Sequence, residues 1–240
     1  MAVQVVVLAG GLGTRMAEFT GNIPKALIPV HGKPFAHYQV EWLARCGVER
    51  ITFSVGYLGE QIEDSLRALP DPGVQLDFVF EGNDLRGTGG ALRHAADQGA
   101  LESEFLLLYG DSYLPIDVME VWRAYKTCGR PALMTVFKNH GQFDRSNAHF
   151  ENGNVPFYSK RRTWREPLTW IDYGLSALSR GLILGAFRSG EKADLASLFE
   201  ALSENGQLAG YQVFDRFYEI GSPQGLAEFR DFIAPHLTRS

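Results

Sequence analysis

The sequence has few features that mark secreted, membrane or metal-cluster proteins. Its two cysteines, Cys46 and Cys128, lie far apart in the 240 residues. They therefore form no metal-binding pair, and we interpret both as small buried side chains rather than as a disulfide. No apolar run approaches the roughly 20 residues of a membrane-spanning helix, and the basic and apolar regions of a secretory leader are absent. We expect a cytoplasmic protein that binds no membrane.

Positive charge is also scarce. The formal net charge is −5 at pH 7, whereas a nucleic-acid-binding protein is expected to carry a basic surface. An acidic protein can still bind a polyphosphate through a local pocket and a metal ion. The six histidines show no catalytic pairing or metal spacing, and no Gly-x-Ser-x-Gly nucleophile motif is present. These absences argue against a nucleic-acid-binding protein and against a serine hydrolase.

The first half of the chain alternates short apolar runs with amphipathic segments. Such alternation predicts an α/β protein with a mainly parallel central sheet and helices on both faces. Ligands of such sheets bind at the carboxyl ends of the strands. The predicted strands are Val3–Leu8, Arg50–Val55, Gln75–Phe80, Phe105–Tyr109 and Ala132–Phe137. The predicted helices are Phe35–Cys46, Leu58–Leu69, Gly90–Asp97 and Ile116–Thr127.

The pattern changes after about residue 140. Asn152-Gly153 is a strong hairpin turn pair, and it separates the predicted strands Ala148–Glu151 and Val155–Ser159. Further strands are predicted at Trp170–Leu178, Leu208–Phe214 and Phe217–Ile220, and helices at Leu195–Glu204 and Pro223–Ile233. We expect these segments to add strands to the same sheet and to form the far wall of a cleft. The chain is accordingly predicted to be a single domain, residues 1–240.

Residues 8–15 read Leu-Ala-Gly-Gly-Leu-Gly-Thr-Arg and follow the first predicted strand. A glycine-rich turn at the end of a buried strand exposes backbone N–H groups, and these donors suit a phosphate chain. Two cations accompany the turn, Arg15 as a planar donor fork and Lys25 within an apolar segment. The turn lacks the third glycine of the dinucleotide fingerprint and the Gly-Lys-Ser/Thr of a P-loop. It predicts a triphosphate site of another kind.

Two further segments place polar residues at the predicted carboxyl edge. Glu81 begins the run Glu-Gly-Asn-Asp-Leu-Arg-Gly-Thr-Gly-Gly. This run follows a strand and opens a helix, so we expect bare N–H groups there. An ordinary strand-to-helix turn would show the same pattern. Asp111 follows a strand and Gly110, a position from which a carboxylate can bind a metal in the cleft. A helix N-cap would explain Asp111 equally well.

Together these motifs resemble the signature of the sugar-phosphate nucleotidyltransferases, or sugar-nucleotide pyrophosphorylases. The resemblance implies a glycosyltransferase-A-like fold and transfer of a nucleoside monophosphate from a triphosphate to a sugar 1-phosphate. The segments Ser-Val-Gly-Tyr and Gly-Thr-Gly-Gly-Ala look closest to heptose-1-phosphate guanylyltransferases. The resemblance assigns catalysis to Arg15, Lys25 and Asp111. It assigns nucleotide binding to Leu8, Ala9, Gly10, Gly11, Gly13, Thr14, Arg15, Glu81, Gly87, Thr88 and Gly89.

The resemblance also implies a Mg²⁺ ion and an acceptor site. Asp111 and Glu219 would hold the metal, although the family has an aspartate at the position of Glu219. Lys160 matches the lysine that holds the sugar phosphate, and residues 172–174 match an Asn-Ala-Gly step. The residues assigned to acceptor binding are Asp111, Lys160, Asp172 and Gly174. Residues 1–140 would form the nucleotide-binding core, and residues 141–240 the sugar-phosphate-binding part.

Departures from the family pattern leave alternatives open. Ser159 stands where the family has a glutamate, and Asp172 replaces an asparagine. Guanylyl transfer to a heptose or mannose type of sugar phosphate therefore stands beside cytidylyl or uridylyl transfer and beside a non-sugar acceptor such as phosphocholine. A catalytically silent regulatory homologue is a third hypothesis. The basic run at residues 160–162 is either a solvated loop or a contact for acceptor phosphate, and assembly into a homo-oligomer is also open.

Overall fold

The computed structural model describes residues 3–11, 16, 21–82, 86–162, 164 and 167–237. The strands are β1 (Gln4–Ala9), β2 (Pro29–Val30), β3 (Lys33–Pro34), β4 (Arg50–Val55), β5 (Gln75–Phe80), β6 (Glu104–Tyr109), β7 (Ser112–Tyr113), β8 (Ala132–Lys138), β9 (Ala148–Glu151), β10 (Asn154–Tyr158), β11 (Trp170–Ser179), β12 (Leu208–Val213) and β13 (Tyr218–Glu219). The α-helices are α1 (Phe35–Arg45), α2 (Gly59–Arg67), α3 (Gly87–Asp97), α4 (Val118–Cys128), α5 (Arg180–Ala186), α6 (Ala196–Glu204) and α7 (Pro223–Leu237).

Within the described residues, nine strands form one sheet in the order β5-β4-β1-β6-β11-β8-β12-β10-β9. The first four strands pair in parallel, and β12 runs parallel to β8. Strands β11 and β10 are antiparallel to the strands beside them. All the other strands of the sheet share one direction, so the prediction of a mainly parallel sheet is confirmed.

Helices cover both faces of this sheet. In β1, Val5 and Val7 belong to one buried apolar cluster and Val6 to the other, because successive side chains of a strand face opposite sides. The first cluster includes side chains of α1, α2, α4 and α7, and the second those of α3, α5 and α6. The predicted layers are therefore present. No helix in the described part of the chain combines the length and the apolar character that crossing a membrane requires.

The second half of the chain extends the same sheet, as predicted. Asn152 and Gly153 both have positive φ, 49° and 75°, which a tight turn between β9 and β10 demands. Strand β9 also pairs with β11 through Ala148 and Trp170, so five strands close on one another at this end. Helix α5 was not predicted. Its start is capped by Ser179, whose side chain accepts a hydrogen bond from the Leu182 N–H.

Candidate active site at the carboxyl edge of the sheet

A cavity of about 340 Å³ opens where β1, β5 and β6 end and where α3 begins. Its wall combines backbone from the end of β1 with two lysines, one arginine and two carboxylates. The lining residues are Leu8, Ala9, Gly10, Gly11, Lys25, Ala26, Glu81, Arg86, Gly87, Thr88, Ala91, Tyr109, Gly110, Asp111 and Lys192. The cavity lies at the carboxyl edge, where a sheet of this class binds its ligand. Most described residues that the sequence assigned to nucleotide binding and catalysis meet here.

Glycines allow the elements of this cavity to approach each other closely. Gly110 donates its N–H to the Leu8 carbonyl at 2.9 Å, and a Cβ on Gly110 would lie 2.6 Å from that oxygen. A Cβ on Gly10 would lie 2.3 Å from Glu81 Oε1. A side chain at either position would displace backbone or a buried carboxylate. These two glycines thus set the distances between β1 and the residues that follow β5 and β6.

We expect Gly110→Ala to destabilise the fold by about 1–3 kcal/mol, because its methyl group meets the backbone of β1 and no side-chain rotation relieves the contact. Urea denaturation followed by circular dichroism measures the change. Gly185→Ala in α5 is the matched control, since a Cβ there has no other atom within 4 Å. Its free energy of unfolding should be unchanged or higher. Equal stability of Gly110→Ala and wild type would contradict the close approach.

Lys25 and Asp111 form an ion pair inside the cavity. Lys25 begins a short 3₁₀ turn after Pro24, and its Nζ lies 2.6 Å from Asp111 Oδ2. The two side chains are 20% and 27% exposed, so solvent screens them less than it screens a surface pair. The structure thus brings together two of the residues predicted to be catalytic. The short strand β7, not a helix, follows Asp111, so the N-cap alternative for this residue is wrong.

The turn that opens α3 differs from its prediction. The N–H groups of Gly89 and Gly90 donate to the Ala193 carbonyl at 2.9 and 3.2 Å, so the expectation of bare N–H groups is wrong at both. Thr88 Oγ1 donates to Asp194 Oδ1 at 3.0 Å and accepts from the Leu195 N–H at 2.9 Å. The turn therefore holds the loop before α6, whereas Gly87 and Thr88 still line the cavity.

This docked loop also brings into the cavity a lysine that the sequence motifs did not identify. Lys192 lines the cavity, and its neighbour Ala193 donates its N–H to the Arg86 carbonyl at 2.9 Å. A Cβ on Gly87 would lie 2.5 Å from the Ala193 oxygen, so glycine is needed there for the loop to dock. The contact joins segments more than 100 residues apart, so the sequence around Lys192 does not predict that this lysine lines the cavity.

Glu81 also lines the cavity, and it directly follows β5. The residue is 7% exposed, and Ser54 Oγ donates to Glu81 Oε1 at 2.9 Å. Burial raises the pKa of Glu81, while the Ser54 hydrogen bond and the charges of His94 and Arg86 lower it. A carboxylate in the cavity wall thus has its charged form opposed by desolvation.

The predicted acceptor residues gather beside Tyr109, another cavity residue. Lys160 Nζ lies 5.7 Å from the centre of the Tyr109 ring and 4.0 Å from Asp194 Oδ1. Asp172 Oδ1 accepts the Gly174 N–H at 3.0 Å, and Gly174 has a φ of 103° that favours glycine. Burial raises the pKa of Asp172, opposed by the Gly174 hydrogen bond and the charge of Lys160. Lys160 therefore lies close to two carboxylates, those of Asp172 and Asp194.

The basic run after β10 is held by acidic residues of α6. Arg162 forms ion pairs with Glu204 at 2.5 Å and with Glu200 at 3.7 Å. Ser159 Oγ donates to Glu200 Oε1 at 2.7 Å and accepts the N–H groups of residues 161 and 162. The guanidinium of Arg162 is thus occupied, whereas Lys160 of the same run lies beside the cavity residue Tyr109.

Glu219 is bonded to the turn that leads into α7. Its Oε2 accepts the Gly221 N–H at 2.5 Å, and its Oε1 accepts the Ser222 hydroxyl at 2.5 Å. Ser222 Oγ in turn accepts the Gly225 N–H at 3.0 Å, as a helix N-cap does. The backbone brings Glu219 next to Ser112, but both carboxylate oxygens are engaged. Among the described residues, no group of three or more His, Cys, Asp or Glu is placed to hold a metal.

Glu219→Ala is expected to lower the free energy of unfolding by about 1.5–3 kcal/mol, because two hydrogen bonds to a charged group are lost. We expect the affinity of the nucleotide-bound protein for Mn²⁺, a spin-active substitute for Mg²⁺, to change little. Chemical denaturation and electron paramagnetic resonance measure the two quantities. Lost Mn²⁺ affinity at unchanged stability would instead make Glu219 a metal ligand, as the family resemblance implies.

Three predicted residues lie outside the described part of the chain: Gly13, Thr14 and Arg15. Their assignments to nucleotide binding and catalysis stay predictions.

Residues 5–204 match the family model described as the MobA-like NTP transferase domain. The chain is 30% identical over 230 residues to D-glycero-alpha-D-manno-heptose 1-phosphate guanylyltransferase of Campylobacter jejuni, over 94% of this chain and 98% of that protein. It is 27% identical over 219 residues to UTP–glucose-1-phosphate uridylyltransferase of Synechocystis, over 85% of this chain. The match spans 56% of the length of that second relative.

Solved structures have the same architecture. HddC from Yersinia pseudotuberculosis superposes with a TM-score of 0.78 at 26% identity, over 96% of this chain and 99% of that one. A structure of HddC in complex with GMP-PN superposes with the same TM-score of 0.78 at 25% identity, again over 96% and 99%. The glycosyltransferase-A-like fold that the resemblance implies, which is the fold of nucleotide-diphospho-sugar transferases, is thereby confirmed.

Proposed function

Because the chain belongs to the MobA-like NTP transferase family, we propose that it transfers a nucleoside monophosphate from a nucleoside triphosphate to a sugar 1-phosphate. The products are a nucleoside diphosphate sugar and pyrophosphate. The observation that carries this proposal is the Lys25–Asp111 ion pair in a cavity at the carboxyl edge of the sheet. In phosphoryl transfer a lysine can neutralise phosphate charge, and a carboxylate beside it can hold the divalent ion that shares this task.

This reaction depends on the alignment of the acceptor phosphate with the α-phosphorus more than on proton transfer. An oxygen of the acceptor phosphate attacks the α-phosphorus, a new P–O bond forms, and the bond to the β-phosphate oxygen breaks as pyrophosphate leaves. The attacking phosphate is already an anion, so no general base is needed. The barrier comes from repulsion between two polyanions and from charge that builds around the α-phosphorus. Preorganised cations lower that barrier.

The described cations suit distinct parts of this reaction. Lys25 would contact the α-phosphate region, because it is held in the cavity beside Asp111. Lys192 lines the same cavity from the docked loop and adds positive charge near the triphosphate. Lys160, beside Tyr109, would position the acceptor phosphate. Arg15 would take the leaving pyrophosphate, as the family resemblance implies.

Magnesium fits this site through one protein carboxylate. Mg²⁺ is commonly bound by one or two carboxylates together with substrate phosphates and waters. Asp111 is partly exposed at the cavity, so it can serve as that ligand, whereas Glu219 is engaged elsewhere. When bound, the ion would neutralise phosphate charge. Residues 1–140 would then bind the nucleotide and residues 141–240 the sugar phosphate.

Pyrophosphate release tests the proposed reaction. Wild-type protein would be incubated with Mg²⁺, one of five common nucleoside triphosphates, and mannose, glucose or heptose 1-phosphate or phosphocholine. We expect release only when a triphosphate and a sugar 1-phosphate are both present, with formation of the nucleotide sugar. Release with phosphocholine alone would favour the alternative acceptor. Tight nucleotide binding without release for any pair would favour a catalytically silent homologue.

A further inference from the structure

A glutamine is buried where helix α1 packs against the segment that carries Asp111. Gln39 is a fully buried residue of α1. Its Nε2 donates to the Ser112 carbonyl at 2.8 Å and, at a longer 3.4 Å, to the Tyr109 carbonyl. These two carbonyls flank Gly110 and Asp111, which form the turn between β6 and β7. One side-chain amide therefore spans the turn from which Asp111 enters the cavity.

The orientation of this amide follows from its partners. Carbonyl oxygens only accept hydrogen bonds, so the two that face the amide require its NH₂ group and not its oxygen. Gln39 Oε1 is thereby left over, and this buried oxygen finds no donor among the described residues. A buried acceptor without a donor costs stability. Glutamine is thus a poor choice for stability alone, whereas its NH₂ group meets a need of the turn.

The backbone of the turn is held by β1, by the segment after β13 and by α1. Gly110 donates its N–H to the Leu8 carbonyl at 2.9 Å, and the Asp111 carbonyl accepts the Ile220 N–H at 3.0 Å. These two contacts join backbone to backbone, so the change of a side chain leaves their donors and acceptors in place. The contact from α1 is made by the Gln39 side chain, and a substitution removes it.

The Asp111 carboxylate depends on this turn for its position. Its Oδ2 lies 2.6 Å from Lys25 Nζ, and its Oδ1 accepts the Ser112 hydroxyl at a long 3.4 Å. A carboxylate that binds a metal is oriented by the groups behind it, and loss of such groups lowers metal affinity. We propose that Gln39 is a positioning residue, whose amide holds the Gly110–Asp111 turn so that the Asp111 carboxylate faces a divalent ion and Lys25. The role rests on the proposed function, which gives Asp111 the metal.

Gln39→Met tests this role, because methionine keeps the length and the unbranched shape of glutamine but donates no hydrogen bond. In the protein without ligands, amide hydrogens of residues 109–114 should exchange about fivefold faster by mass spectrometry, the factor that one net hydrogen bond contributes to an opening equilibrium. Peptides from β4 and β5 should exchange as in wild type. The urea midpoint should stay close to that of wild type, since removal of the unpaired oxygen offsets the lost hydrogen bonds.

Metal affinity is the second readout. The triphosphate used is whichever of ATP, GTP, CTP, UTP and dTTP binds wild type most tightly in a calorimetric titration without metal. In its presence, Gln39→Met should bind Mn²⁺ about tenfold more weakly by electron paramagnetic resonance, the scale of losing a group that orients a metal ligand. The Mg²⁺ concentration for half-maximal pyrophosphate release should rise by the same factor, and excess Mg²⁺ should restore most of kcat. Added metal would not repair general damage to the fold.

Trp42→Phe is the matched control. Trp42 lies three residues after Gln39 on the same face of α1, and its Nε1 donates to the Ile116 carbonyl at 3.0 Å. The variant removes a hydrogen bond from α1 to the same segment but beyond the turn. Its urea midpoint should fall, while its Mn²⁺ affinity and Mg²⁺ dependence should equal those of wild type. Gln39→Leu, a second apolar replacement, should repeat the pattern of Gln39→Met.

Wild-type Mn²⁺ affinity in folded Gln39→Met and Gln39→Leu would overturn the positioning role, and so would an equal loss of Mn²⁺ affinity in Trp42→Phe. Failure of both Gln39 variants to fold would overturn it too, because the glutamine would then serve the fold as a whole. No pyrophosphate release by wild type from any substrate pair would contradict the proposed reaction, while hydrogen exchange would still show whether Gln39 holds the turn. Release by wild type with unchanged Mg²⁺ dependence in Gln39→Met would contradict the positioning role alone.

Discussion

Asp111→Asn should reduce Mg²⁺-supported pyrophosphate release by about a hundredfold or more, the scale of losing one preorganised charge in a reaction centre. Asparagine keeps the size of the side chain but removes its charge, so a divalent ion loses its one carboxylate ligand in the proposed site. Lys25 also loses the partner that now lies 2.6 Å away. Initial rates at saturating triphosphate and acceptor measure the effect, and circular dichroism should show an unchanged fold.

A second readout separates metal binding from general damage. We expect the nucleotide complex of Asp111→Asn to lose affinity for Mn²⁺ in electron paramagnetic resonance. Asp77→Asn is the matched control, because Asp77 is also a partly exposed carboxylate, 31% exposed and paired with Arg50 at 2.5 Å, but within β5 rather than at its end. Its rate and Mn²⁺ affinity should equal those of wild type. Unchanged metal dependence in Asp111→Asn would remove Asp111 from the metal site.

Much of the parallel core could be predicted from local pattern. Strands Arg50–Val55 and Gln75–Phe80 have the bounds that the sequence predicts, because each is a short segment in which apolar side chains recur at successive or alternate positions. The position of Asp111 beside the cavity also follows from this pattern, since carboxyl ends of parallel strands meet at one edge. Its ion pair with Lys25, 86 residues earlier, is not predicted, since the family resemblance gives the two residues separate roles in the same site.

The parts that pattern could not predict depend on distant partners. Gly-Thr-Gly-Gly has the composition of an anion-binding turn, yet Gly89 and Gly90 use their N–H groups on Ala193. The choice between phosphate and a docked loop is made by residues about 100 positions away, which no window of sequence shows. Glu219 is similar, because its carboxylate can reach the turn that caps α7. A residue type at a motif position does not fix where its charged end is bonded.

Lys25→Ala is expected to lower kcat by about a hundredfold or more, because the charge that would neutralise the α-phosphate region is removed from a preorganised position. Stability should change by less than about 1 kcal/mol, the usual worth of a partly exposed ion pair. Steady-state pyrophosphate release and urea denaturation measure the two effects. Lys33→Ala is the matched control, since Lys33 also pairs with a carboxylate, Glu41 at 2.8 Å, and its kcat should equal that of wild type.

The double variant Lys25→Ala/Asp111→Asn shows whether the two groups act as a unit. Residues of one catalytic unit give strongly non-additive losses, since either change alone disables the shared task. We therefore expect the double variant to turn over about as slowly as the slower single variant. Losses that multiply would mean that the lysine and the carboxylate act on separate parts of the reaction. Wild-type turnover by Lys25→Ala would contradict the assignment of Lys25 to the α-phosphate region.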